Sequence, residues 1–218
     1  MTHSDTFARL LDTGIIPIMR ISDAAKAAAV ANALIAGNIP VLEISLSPPG
    51  SLALLEAIAN TLGDTLLLGA GTVLDASTVR DATAAGARYI VAPNLDVAVI
   101  DECKRCGVPV FPGALTPTEI ARAMQAGADA VKVFPCNAVG GPDYIRALLA
   151  PFPLARLFPC GGVNAANAAA YFAAGARAIF AGSSLINKRL IDEGRFDQIT
   201  QQARSLAAAV AASRRIVP

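Results

Sequence analysis

Four lysines occur in the chain, at positions 26, 104, 132 and 188, and only Lys132 lies inside an apolar run, Ala130-Val131-Lys132-Val133-Phe134. A lysine rarely enters a core unless it is paired or has a task. Burial disfavours an ammonium, and an uncharged amine is the form that attacks a carbonyl carbon. The chemistry this position offers is therefore covalent: an imine between Lys132 and a keto substrate. Glu43 is the second charged intruder, in Val41-Leu42-Glu43-Ile44. A carboxylate there suits general acid–base work. The structural alternatives are a Lys132–Glu43 pair or a Glu43–Arg20 pair that serves stability alone.

Glycine-rich turns form the third group. Gly161-Gly162 and Gly182-Ser183-Ser184 each follow an apolar run. Such turns offer backbone N–H groups to a phosphate. Gly69-Ala70-Gly71-Thr72 also reads as a glycine-rich loop, but it lacks the lysine and the spacing of a nucleotide-binding loop. Thr72 is read there as a hydroxyl donor.

These residues need elements to hold them, and a recurring phrase supplies the elements. AAGARYIVAP (84–93), QAGADAVKVFP (125–135) and AAGARAIFAG (173–182) each combine a helix end, a capping glycine and a short apolar run. Weaker copies occur at 35–45, 62–71 and 105–113. Glycines 37, 63, 86, 107 and 127 are spaced about 20–26 residues apart, the length of one strand–helix unit. Apolar runs without polar alternation are strands buried on both faces. With GIIPIMR (14–20) in front, the pattern predicts eight strands, near 15–20, 40–45, 66–70, 88–92, 108–111, 129–134, 155–159 and 178–181. Alanine-rich helices separate them, such as the one over 22–36 with Ser22 or Asp23 as its cap. The expected fold is α/β: a (β/α)8 TIM barrel occupying residues 1–218 as a single domain, with an extra N-terminal helix near 4–12. An open doubly wound sheet is the alternative. In a barrel the site lies at the C-terminal strand ends. Arg20, Glu43, Thr72, Pro93, Lys132, Gly161, Gly162 and Ser183 all fall there.

Composition narrows the function further. The 218 residues are 54% hydrophobic and 16% charged, with a net charge of +1. That excludes a disordered chain and provides no electrostatic footprint for nucleic acid. The N-terminal stretch does not read as a secretory leader, and no apolar run is long enough to span a membrane, so the expected location is cytoplasmic. His3, the one histidine, sits near a terminus, which disfavours a metal centre and a serine triad. Cys103, Cys106, Cys136 and Cys160 are expected as reduced thiols.

Val41-Leu42-Glu43-Ile44, Gly69-Ala70-Gly71-Thr72-Val73, Val131-Lys132-Val133-Phe134-Pro135, Gly140-Gly141-Pro142-Asp143-Tyr144-Ile145 and Cys160-Gly161-Gly162-Val163 together resemble the 2-keto-3-deoxy-6-phosphogluconate / 4-hydroxy-2-oxoglutarate aldolases, over nearly the whole chain. The resemblance implies a class I aldolase, a carbon–carbon lyase that forms a Schiff base on Lys132. Glu43 would move protons through a water. Thr72, Pro93 and Phe134 would line a pyruvate pocket, and Gly161, Gly162 and Ser183 would hold phosphate. It also implies a homotrimer that takes a 2-keto acid and a sugar phosphate and needs no metal or other cofactor. Two departures stand out. Some members carry an arginine after the strand-two glutamate, where this chain has Ser45-Leu46-Ser47-Pro48-Pro49, and Arg20 is the expected replacement for binding the substrate carboxylate. The resemblance implies cleavage of 2-keto-3-deoxy-6-phosphogluconate to pyruvate and glyceraldehyde 3-phosphate; enzymes for the galactonate epimer share that arrangement, so that epimer, or 4-hydroxy-2-oxoglutarate, is the alternative substrate. Cys160 replaces the more usual threonine or valine. The more remote readings are a sugar-phosphate isomerase, with Glu43 as base, and a non-catalytic sugar-phosphate-binding barrel.

Overall fold

The computed structural model describes residues 1–214. The chain begins with α1 (His3–Thr13), β1 (Ile15–Met19), α2 (Ala24–Ala36), β2 (Val41–Ser45), α3 (Ser51–Leu62), β3 (Leu67–Gly71), α4 (Ala76–Ala84), β4 (Ile90–Val91) and α5 (Val97–Cys106). It continues with β5 (Val110–Phe111), β6 (Gly113–Ala114), α6 (Pro117–Gln125), β7 (Val131–Val133), α7 (Pro142–Leu149), β8 (Leu157–Pro159), α8 (Ala168–Ala173), β9 (Ile179–Ala181), α9 (Lys188–Asp192) and α10 (Phe196–Arg214).

The fold is α/β, with a curled parallel sheet. Six strands run in the order β5-β4-β3-β2-β1-β9, and three more in the order β6-β7-β8. A parallel bridge between Cys160 and Phe180 joins the end of β8 to β9. The predicted fifth strand, 108–111, is β5, and a further piece, β6, follows Pro112, which has no N–H to donate to the ladder. Its carbonyl still accepts from Lys132 N at 2.9 Å. The other strands fall inside their expected positions but are shorter, and β3 extends to Gly71.

Local chemistry explains the helix starts. Asp23, not Ser22, caps α2 by accepting from Lys26 N. Thr116 and Glu119 form a reciprocal capping box at the start of α6, with Pro117 in the first turn. The expected N-terminal helix is α1, held by a Thr2–Asp5 capping box. Its Arg9 donates to Thr65 O at 2.9 Å, just before β3, so α1 lies at the N-terminal strand ends. Leu10 is fully buried there, with Phe7 and Leu11 packed beside it against Ile16, Val41, Tyr89 and Phe111. A larger apolar layer lies between the strands and the outer helices.

Gly37 and Gly63 cap α2 and α3 as expected, but neither is left-handed (φ −87° and −60°). Asn38 takes the positive φ in the first case. Gly37 instead allows close approach, since a β-carbon there would collide with Ala203 of α10.

Candidate active site

Arg20 follows β1, whereas Glu43 and Lys132 are the middle residues of β2 and β7. Lys132, on β7, is 5% exposed, and Glu43, on β2, is 1% exposed. Among the described residues no ion pair or hydrogen bond engages Lys132 Nζ, and none joins Glu43 to Lys132 or to Arg20. Neither side chain is held in a contact ion pair with the other.

Lys132 Nζ lies 4.8 Å from the Phe180 ring centroid and 5.8 Å from that of Phe134. Phe180 belongs to a run of rings through the interior. Phe158 lies 6.3 Å from it and Phe111 a further 5.1 Å on. This floor keeps water from reaching the amine from below. Phe134 is 42% exposed, so its ring lies between Lys132 and solvent-accessible surface.

Burial raises the Glu43 pKa above the ordinary carboxylate range, and the nearby charges of Lys132 and then Arg20 offset part of that rise. Burial likewise pushes the Cys160 thiol up to about 11. It stays protonated at neutral pH and does not compete with Lys132 as a nucleophile. Lys132, Glu43 and Arg20 all act on Cys160 electrostatically, so these four groups share one neighbourhood.

The expected glycine-rich loop at 69–71 is strand β3. Its glycines clear space rather than turn the chain. Glu43 lies opposite Gly69 in the ladder, and a β-carbon at Gly71 would collide with the Glu43 carboxylate. Gly71→Ala is expected to push that carboxylate aside and lower kcat by about 10²-fold, the scale of loss that follows an ångström-sized misplacement. Trapping of pyruvate on Lys132 should persist. Wild-type turnover in this variant would show that the close fit is immaterial.

Thr72 follows β3 in the left-handed region (φ 61°). Its hydroxyl lies 2.8 Å from Ser45 Oγ, which lies 2.9 Å from Ser47 Oγ. Pro93 reaches the site through backbone: its carbonyl lies against Gly113, which pairs with Lys132.

Arg20 is exposed and lines a cleft of about 470 Å³ with Pro48, Ser183, Lys26 and Lys188. Gly161 (φ 111°) and Gly162 (φ 68°) need glycine's freedom. Asn164 and Asn167 both donate to Gly162 O, at 3.2 and 2.9 Å. Ser184 Oγ donates to Val163 O at 2.5 Å, tying this turn to the one after β9. Ser183 is exposed and has no hydrogen-bond partner among the described residues, so its hydroxyl is free for a ligand. Ser183 and Ser184 lie in a turn, not at a helix start.

Sequence reasoning missed Phe180, Ser45, Tyr89 and Asn137, whose side chain lies against Gly161 and Gly162. Inward parity on their strands was the available clue for Phe180, Ser45 and Tyr89. Asn137 left none. Among the described residues no group of three or more His, Cys, Asp and Glu side chains could hold a metal. No helix among them is long and apolar enough to cross a membrane.

An amine and a carboxylate, both buried and unpaired, can form and break imines and move protons. Comparison with known proteins agrees with that chemistry. A family model described as KDPG and KHG aldolase matches residues 7–202. A 2-dehydro-3-deoxy-phosphogluconate aldolase of Treponema pallidum (strain Nichols) is 34% identical over 194 residues, 89% of this chain and 92% of the relative. A solved structure described as native KDPGal is 34% identical with a TM-score of 0.86, over 93% of this chain and 96% of the other. A KDPG aldolase from Legionella pneumophila, with pyruvate captured at low pH as a covalent carbinolamine intermediate, is 29% identical with a TM-score of 0.84, over 92% and 97% of the two chains. The matched segment spans nearly the whole chain, and the chain belongs to the KDPG and KHG aldolase family.

Proposed function

We propose that this protein is a class I aldolase that cleaves 2-keto-3-deoxy-6-phosphogluconate to pyruvate and glyceraldehyde 3-phosphate. The observation that carries this reading is the buried Lys132 amine, unpaired over an aromatic floor, in the same neighbourhood as the buried carboxylate of Glu43. Relatives named for the phosphogluconate substrate support that epimer.

Lys132 Nζ adds to the C2 carbonyl of the substrate, and loss of water leaves an iminium. That cation draws in the electron pair of the C3–C4 bond. Glu43, through a water, takes the C4 hydroxyl proton, and C4 departs as the aldehyde. The remaining enamine is protonated at C3 with the help of Glu43, and hydrolysis releases pyruvate and restores the amine. The imine is itself the electron sink, so the step calls for no metal or other cofactor. Arg20 meets the substrate carboxylate, while Thr72, Pro93 and Phe134 line the pyruvate pocket. Gly161, Gly162 and Ser183 bind the phosphate.

The Cys160–Phe180 bridge and the break at Pro112 support a closed (β/α)8 barrel, with β5 and β6 as one barrel strand and α1 as an added helix. We read residues 1–218 as one such unit, working in the cytoplasm as a homotrimer.

Incubation with pyruvate and borohydride, followed by peptide mass mapping, tests the reading. An adduct on Lys132 is expected; active enzyme without one would refute it. Ser183→Ala should weaken phosphorylated substrate by about tenfold to a hundredfold, the value of a hydrogen bond to a charged group. Pyruvate binding should be unaffected. Equal losses for both ligands would remove phosphate from that turn.

A further inference from the structure

Among the described residues, Glu43 Oε2 and the Tyr89 hydroxyl oxygen are buried polar atoms without a hydrogen-bond partner. Tyr89 is 0% exposed, just before β4. Leaving a buried carboxylate or phenol unsatisfied is costly, and native interiors rarely do so. The two groups are also neighbours across one strand. The Tyr89 ring, including the carbon that bears the hydroxyl, presses on Gly69, and the Glu43 carboxylate presses on Gly71. Gly69 and Gly71 share a face of β3, and alternate strand positions lie about 6.5 Å apart. No direct hydrogen bond joins the two groups, and one water between them can supply both with a partner. The Glu43 carboxylate rests on Gly71, and Gly69 lies on its side away from the C-terminal strand ends, so this contact would not occupy the substrate's side.

We propose that Tyr89 is a positioning residue for Glu43, its hydroxyl donating to an internal water that in turn donates to the carboxylate. This rests on the role proposed for Glu43. Burial, and then the charge of Glu43, hold the phenol pKa well above its ordinary range, so Tyr89 remains a donor throughout the working pH range. The other titratable groups acting on this neighbourhood are Lys132 from β7, Arg20 after β1 and Cys160 after β8. Lys132 and Arg20 approach Glu43 as charges, whereas Tyr89 approaches it as a fully buried neutral donor.

The test is the pH dependence of kcat for the full-length enzyme and Tyr89→Phe, alone and combined with Glu43→Gln. Removing the donor should move the acid limb of kcat upward by about half to one pH unit, the effect of a water-relayed bond to a charged group. Turnover at neutral pH should fall about threefold to tenfold, with KM and borohydride trapping on Lys132 unchanged. On the Glu43→Gln background the second substitution should cost nothing further, because the two residues act through one group. An acid limb that overlays the wild type, or losses that add in the double variant, would overturn the proposal and leave the aldolase reading intact. Full turnover in Glu43→Gln would overturn the role proposed for Glu43 and this inference with it, while the aldolase reading stands or falls on the Lys132 adduct.

Discussion

Lys132→Met is expected to abolish the borohydride-trapped pyruvate adduct and to lower kcat by roughly 10³–10⁶-fold, the range for losing a covalent nucleophile while binding and positioning survive. Methionine is close to lysine in shape and apolar, so it should rest on the Phe180 ring without leaving a cavity. Removing a buried, unpaired amine also relieves a desolvation cost. The variant should therefore fold at least as well as the wild type, which separates loss of chemistry from loss of structure. Thermal unfolding and mass mapping on the same preparation check both halves. A trapped adduct on Lys26, Lys104 or Lys188 in this variant, with turnover preserved, would mean that the wrong amine has been chosen.

Glu43→Gln should behave in the opposite sense at the first step. Glutamine fits the space above Gly71, so Lys132 should still trap pyruvate. Turnover should drop by about 10²–10⁴-fold, the usual worth of a positioned acid–base group. The pH dependence gives an independent check. Glu43 works as a base only when deprotonated, and burial raises its pKa. The acid limb of kcat should thus lie above the ordinary carboxylate range in the wild type and vanish in Glu43→Gln. Stability carries the same sign. Below the ordinary carboxylate pKa the folded and unfolded chains hold equal protons at this site. As pH rises toward the raised folded value, the unfolded chain loses its proton first, so the native state weakens across that window. Glu43→Gln removes this penalty and should have a Tm at pH 8 equal to or above that of the wild type. A lower Tm would mean that favourable contacts of the carboxylate outweigh its desolvation.

Much of this architecture is legible along the chain because its repeating unit is local. A helix end, a cap and an apolar run make one strand–helix step, and α2 begins after Asp23, one of the two residues expected to cap it. Lys132 and Glu43 announce themselves for the same reason: a charge inside an apolar strand is unfavourable wherever the strand ends up. Glycine is where reading along the chain falls short, since one residue type meets two different needs. Gly161 and Gly162 adopt backbone conformations that other residues avoid, whereas Gly71 and Gly37 make way for Glu43 and Ala203, far away in sequence. Tyr89 and Phe180 look like ordinary core residues until the sheet curls and brings one over Gly69 and the other beneath Lys132. Charge, polarity and capping are properties a residue carries with it. Which groups share an interior depends on strand register and sheet curvature, and those arise only when distant segments pack.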